Sequence, residues 1–187
     1  EQLASGGMWN ERHLWTSVRP NGPNRPYELN RLELRICDLI TNCDLLLAVT
    51  TLLELRVLNL FRNQSQLDPL HASQLNIAEL ADLSDLNDAS AAKNSFDAVL
   101  HHWLDGRSIV CRDWLSELLE DVKPLAIEMG ISSQLIPLET LLEQGNQAIQ
   151  WIRGVNNGKT IESVLQENIS EMEFEEVSYM KAAATLG

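Results

Sequence analysis

Glu33 and Arg35 stand two residues apart in the segment Arg31 to Asp38, and Arg31 lies two residues before Glu33. In an extended strand that spacing puts all three on one face, with successive members about 6 to 7 Å apart along the backbone. A carboxylate and guanidiniums on a shared face suit the handling of a metal nucleotide. Carboxylate oxygen is a ligand for a hard ion such as Mg²⁺ (or Mn²⁺), and the planar guanidinium grips phosphate or carboxylate oxygens with two parallel N–H groups. Arg19, in the earlier segment Trp15 to Pro20, can supply a second cation. The same pattern also fits an ordinary solvated ladder of ion pairs, and alternation by itself does not decide between the two.

The elements that must position these residues come in two kinds. From His13 to Arg19 the chain alternates, with Leu14, Thr16 and Val18 on one face and His13, Trp15, Ser17 and Arg19 on the other. A turn-rich connection from Pro20 to Pro26 follows. Alternation then returns, with Leu32, Leu34 and Ile36 on the face that needs a core and Arg31, Glu33 and Arg35 opposite. After residue 40 or so, everything reads as helix and loop. Thr41 to Asp44 has the spacing of a capping box, opening an apolar helix that ends near Arg62 or Asn63. Leu67 to Asp88 reads as a polar connection with a short helix around Ser73 to Leu80. Asp88 is expected to cap a helix from Ala89 to Leu104 that stops at Gly106. Further helices are expected over Arg112 to Met129, with Pro124 a kink or break and Gly130 the end, then Ser133 to Gln144, Asn146 to Val155 and Thr160 to about Ala183.

The charge balance is uneven along the chain. The formal total is −13, yet residues 1–35 hold five of the ten arginines against four acids, a net of +1, leaving −14 on the remainder. Such an acidic surface argues against a general nucleic-acid or anionic-membrane partner, so any anion site must be local. The most apolar window, Leu45 to Phe61, contains Glu54 and Arg56 and reads as a buried helix, not a membrane span. Three cysteines, Cys37, Cys43 and Cys111, are too few and too scattered for a disulfide scaffold or zinc ribbon, and read as reduced thiols of a cytoplasmic protein. The first residue is Glu1 with no signal sequence, which reads as a piece of a longer protein or a trimmed chain.

The order of these features resembles the carboxylate-amine ligases that include bacterial glutamate-cysteine ligase, in their C-terminal half. The residues that carry the resemblance are Arg19-Pro20, then Leu32-Glu33-Leu34-Arg35-Ile36-Cys37-Asp38, then the long apolar helix Leu45 to Phe61. Asn94 to Trp103 with Gly106, Trp114-Leu115, and the turn Gly145-Asn146-Gln147-Ala148 follow in the family's order and extend the likeness over nearly the whole chain. The resemblance implies an α+β, glutamine-synthetase-like catalytic fold, here a few antiparallel strands over about 13–40 followed by a mostly helical body over about 44–184, together forming part of one catalytic domain. It implies a reaction in which ATP phosphorylates the γ-carboxylate of glutamate and the amine of cysteine displaces phosphate, giving γ-glutamylcysteine, the first step of glutathione biosynthesis. By this resemblance Glu33 is the metal ligand, Arg35 holds the transferring phosphoryl group, Arg19 is a second clamp and Arg31 a further nucleotide contact. The partners implied are ATP, glutamate and cysteine, with no nucleic acid and no membrane; a homo-oligomer is compatible.

Other signals carry less. Gly158-Lys159-Thr160 has the ending of a phosphate loop, but Arg153 stands where the pattern needs glycine, so Gly158 is expected to end one helix and Thr160 to cap the next. His101 and His102, adjacent on the expected helix, would diverge by about 100° and not chelate one ion. His13 and His71 are isolated, the tryptophans read as core anchors, and the acidic run Glu171 to Glu176 reads as a solvated helix face. Two readings compete with a glutamate-cysteine ligase: a ligase joining glutamate to another amine, and a non-catalytic helical interaction domain.

Overall fold

A computed structural model of the chain describes residues 16–19, 31–34 and 40–185. The chain divides into two units, residues 1–39 and 40–187. The first holds an antiparallel ribbon of β1 (Thr16–Arg19) and β2 (Arg31–Leu34). The second contains eight helices and a short hairpin among the described residues: α1 (Cys43–Arg62), α2 (Gln64–Leu67), α3 (Pro69–Ala72), α4 (Ile77–Asn94), β3 (Val99–His101), β4 (Ser108–Val110), α5 (Cys111–Glu128), α6 (Ile136–Gln144), α7 (Gln147–Asn156) and α8 (Ile161–Thr185). The architecture is α+β, mostly helical with two-stranded antiparallel pairs. His13, the proline-rich connection, Arg35 and Cys37 lie outside the described residues.

The core of the helical unit lies where α1 meets α5 and α6. Ala48, Leu52 and Leu55 recur at helical spacing on α1, and Leu119, Val122, Leu125 and Ala126 do the same on α5, with Leu135 and Leu138 closing the cluster. Thr51 is the buried polar residue of this face, and its hydroxyl donates to Gln134 Oε1 at 2.8 Å. Removing a side chain as enclosed as Leu55, 1% exposed, would cost about 2–5 kcal/mol. An exposed ion pair such as Arg62–Glu128, bidentate at 2.6 and 3.0 Å, contributes about 0–1 kcal/mol. Packing therefore sets the arrangement of α1 and α5, and the ion pair only trims it.

Helix ends follow local chemistry, with some departures from expectation. The cap of α1 is Asn42, whose side chain accepts from the Leu45 N–H at 2.7 Å, and not Thr41, whose hydroxyl accepts from Gln147 Nε2. Of the helix expected over Ala89–Leu104, only Ala89–Asn94 is helical, as the last part of α4. Helix α4 begins earlier, at a capping box in which Asn76 and Glu79 exchange bonds, and ends at Asn94, where Ser95 takes φ +52°. The chain then enters the hairpin, with Leu100 opposite Ile109 and Gly106 in its connection at φ +74°. Asn87 acts as a substitute strand for β3: its amide donates to the His101 carbonyl at 2.8 Å and accepts from the His101 N–H at 2.7 Å. Pro124 does not break α5, because it and Glu120, whose carbonyl loses its partner, are both exposed and water can serve that carbonyl.

The other helix stops agree with the sequence. Gly130, at φ +70°, closes α5 with bonds from Ile131 N to Ala126 O and from Gly130 N to Ile127 O, the paired pattern of a Schellman end. Thr160 caps α8 by accepting from the Ser163 N–H at 3.1 Å. The acidic run on α8 is solvated except at Glu175, whose carboxylate accepts from Asn42 Nδ2 at 2.5 Å and from the Cys43 N–H at 2.9 Å. A carboxylate at the donor end of α1 also meets the positive end of its dipole.

Gly145 joins α6 to α7 at φ +89° and ψ 163°, a region closed to other residues, and a Cβ there would stand 2.8 Å from Ile149 Cγ2. Gly145→Ala is expected to lower stability by about 1–3 kcal/mol from backbone strain, with the overlap adding to it. Urea unfolding checks this, and an unchanged midpoint would show that the turn adapts freely.

Candidate functional site

The ribbon is built so that its polar positions converge. Thr16 is opposite Leu34, Ser17 opposite Glu33, Val18 opposite Leu32 and Arg19 opposite Arg31. Opposed residues of an antiparallel pair belong to the same face. Positions 17, 19, 31 and 33 therefore share one face and positions 16, 18, 32 and 34 the other. The structure brings three of the expected residues, Arg19, Arg31 and Glu33, onto a common face; Arg35 lies outside the described residues. Ser17 enters this group through the register. Alternation had placed it on the same face as Arg19, but only the pairing sets it against Glu33.

The helical unit holds other groups with chemical potential, and their partners tie them to structure. His101 is in β3 and His102 in the bend after it, so the helical geometry expected for the pair does not apply. Each ring is nonetheless held by backbone: His101 Nδ1 donates to the Gly106 carbonyl at 3.2 Å, while His102 Nδ1 accepts from the Leu104 N–H at 3.2 Å. The His102 ring lies 5.5 Å from that of Trp103 and 5.0 Å from that of Trp114, between centroids. Burial first, and then the Arg107 cation, hold its pKa below the ordinary histidine value. His71 pairs with Asp68 at 2.7 Å on the surface, and that hydrogen bond is the main cause holding the Asp68 carboxyl below its usual range.

Two thiols are free among the described residues, Cys43 and Cys111, and burial pushes the Cys111 thiol up, away from the thiolate. Lys159, the cation of the discounted phosphate-loop pattern, is engaged by Glu167 at 2.6 Å. A cavity of about 310 Å³ between α7 and α8 is lined by Trp151, Ile152, Val155, Asn156, Ile161, Val164 and Leu165, and holds no ionisable side chain. Among the described residues no group of three or more His, Cys, Asp or Glu is arranged to hold a metal ion, and no helix is long and apolar enough to cross a membrane. The ribbon face is thus where cation, carboxylate and hydroxyl positions come together.

The low pKa of His102 has a thermodynamic consequence. The unfolded chain takes up this proton near pH 6.5 while the folded chain resists it, so stability is full above that pH and falls as pH drops below it. His102→Asn should flatten the decline between about pH 7.5 and pH 5 relative to the parent. Urea midpoints of both proteins across that range are the check, and equal slopes would assign the acid sensitivity elsewhere.

Comparison with known proteins places the chain as follows. Residues 1–173 match the profile of "Glutamate-cysteine ligase family 2". A protein of Solibacter usitatus (strain Ellin6076) named "Putative glutamate--cysteine ligase 2" is 25% identical over 166 residues, covering 88% of this chain and 40% of that protein. One of the same name from Gloeobacter violaceus (strain ATCC 29082 / PCC 7421) is 21% identical over 168 residues, covering 88% and 41%. The chain therefore spans about two fifths of the length of these curated relatives. No solved structure matches it.

Proposed function

The chain belongs to glutamate-cysteine ligase family 2, and on that premise we propose that it carries part of the active site of a cytoplasmic, ATP-dependent ligase of glutamine-synthetase-like fold. The reaction is the joining of the glutamate γ-carboxylate to an amine through a γ-glutamyl phosphate, with cysteine as the amine and γ-glutamylcysteine as the product. The observation that carries this reading is the ribbon register, which sets Arg19 against Arg31 with Glu33 on the same face. Like charges directly opposed on a ribbon repel one another, and an anion between them removes that penalty. A pair of forked cations in a chain of net charge −13 is an unusual local arrangement, and phosphate and carboxylate are the oxyanions that such forks fit.

The donor set fits a metal nucleotide. Mg²⁺ is held in such sites by one or two carboxylates together with waters and substrate phosphates, and Glu33 supplies one carboxylate. When bound, ATP supplies the phosphoryl group that activates glutamate. The chain's own residues hold oxygens in line and neutralise charge that builds on them, which is most of what phosphoryl transfer asks of a protein. On this reading Arg35 would hold the transferring group, Arg19 and Arg31 would grip the remaining oxygens, and Glu33 would hold the metal.

Two measurements test the proposal on the full-length protein. With ATP, glutamate and a panel of amines, phosphate release should depend on cysteine; release with a different amine would keep the ligase and change its product. Arg35→Lys keeps the charge and loses the fork, and should lower kcat by roughly 10²–10³-fold. Turnover close to the parent would remove Arg35 from the site.

A further inference from the structure

Helix α8 meets α7 at a close approach. Gly154 of α7 lies so near that a Cβ there would stand 3.2 Å from Val164 Cγ2, and Val164 is 5% exposed. Beside this contact lies the cavity of about 310 Å³, whose walls include Trp151, Ile152, Val155, Ile161 and Leu165. All of these but Trp151 are exposed, Ile152 by 61% and Ile161 by 69%, so the cavity is an open apolar trough. At about 100° per residue, Ile161, Leu165, Ile169 and Met172 form one stripe along α8, and the last two carry the apolar edge beyond the cavity.

The stripe is bordered by acid. Residues 161–180 contain six glutamates and no lysine or arginine. Glu175 serves the start of α1 and Glu167 pairs with Lys159. By the same helical spacing Glu162, Glu173 and Glu176 fall in or beside the stripe on the side away from buried Val164, and all three are exposed. The complement of an apolar trough edged with carboxylates is an amphipathic helix that carries lysine or arginine beside its apolar face. A second copy of α8 is not that complement, because it would bring six more glutamates against the first six. The family match ends at residue 173, whereas Glu176 and Met180 continue the band past it. This surface therefore runs beyond the part that the chain shares with the ligases.

We propose that the trough between α7 and α8 is a docking site for a basic amphipathic helix of another protein. The apolar side chains of that helix seat against Trp151, Ile152 and Leu165, and its cations lie along Glu162, Glu173 and Glu176. The proposal stands apart from the ligase reading.

The test uses the full-length protein and a fluorescein-labelled peptide of about 18 residues with leucines on one helical face and lysines on the other, with anisotropy as the readout. The peptide should bind the parent. Leu165→Glu and Ile161→Glu should each weaken binding roughly tenfold or more, by setting a charge in the apolar contact. Glu162→Gln combined with Glu173→Gln and Glu176→Gln should weaken it too and flatten its decline with added salt. Leu53→Glu, on the exposed side of α1, controls for general attraction to an acidic protein and should bind as the parent does. Equal affinity in the parent and the trough variants, or an equal loss in Leu53→Glu, would overturn the proposal. Two further results would do the same. If a maleimide labels Leu165→Cys no more than the parent, the ligase's own chain covers the trough; if the parent is a dimer that Ile161→Glu dissociates, a second copy does. Should Leu165→Glu lose its cooperative thermal transition, Ile161→Glu carries the test from the more exposed wall position.

Discussion

Ala48 on α1 and Val122 and Ala126 on α5 are fully closed off from solvent, and the helical unit depends on that close approach. Small side chains at the seam let the two backbones come near, and the larger Leu52, Leu55 and Leu119 pack around them. Because the seam lies along one face of each helix, α5 can neither rotate nor slide without opening a cavity. Pro124 survives inside α5 for the same reason: the buried stripe runs along the other side of the helix, so the unpaired carbonyl falls on the wet side. The single turn Ser132–Leu135 and helix α6 extend the seam through Leu135 and Leu138, and Gln134 serves the buried Thr51 hydroxyl from there.

Much of this body was legible in the sequence, and the reasons are physical. The 3.6-residue recurrence of apolar side chains marked α1 and α5, and Gly130, Gly145 and Gly158 marked stops because positive φ is cheap only for glycine. The hairpin was not legible. Ala89 to Leu104 begins with strong helix formers, and strands of three residues are too short for alternation to show. What ends α4 is Ser95 at positive φ, an uncommon choice that no propensity favours, and what secures β3 is Asn87, a side chain a dozen residues upstream. The Asn76–Glu79 box was a readable signal for the true start of α4, overshadowed by Asp88. Glu175 shows the same limit on reading charge: five positions in the run from Glu171 to Glu176 are solvated, while the sixth caps a helix 132 residues away.

The candidate site divides along the same line. Alternation assigned Arg19, Arg31 and Glu33 to polar faces of two strands, but alternation within a strand says nothing about which residues of the next strand share its patch. Register supplies that, and here it adds one pairing that residue types alone would not have singled out, Ser17 with Glu33. The contrast with the histidines is instructive. Helical spacing set His101 and His102 aside as a ligand pair, but the structure gives a different reason: both rings are committed to backbone groups, and His102 is also flanked by two indoles.

The clasp of Glu175 on the start of α1 also constrains the order in which the chain can mature. Helix α1 leaves a ribosome well before α8, so its first N–H groups wait for a carboxylate 132 residues downstream. At roughly 5–20 residues per second, that interval lasts on the order of ten seconds. During it, Asn42 alone guards the end of a helix whose outer side also bears Leu46, Leu53, Leu60 and Phe61 in contact with solvent. The nascent chain thus passes through a period in which the start of α1 lacks its carboxylate, while the packed seam that holds the helix can close as soon as α5 and α6 follow.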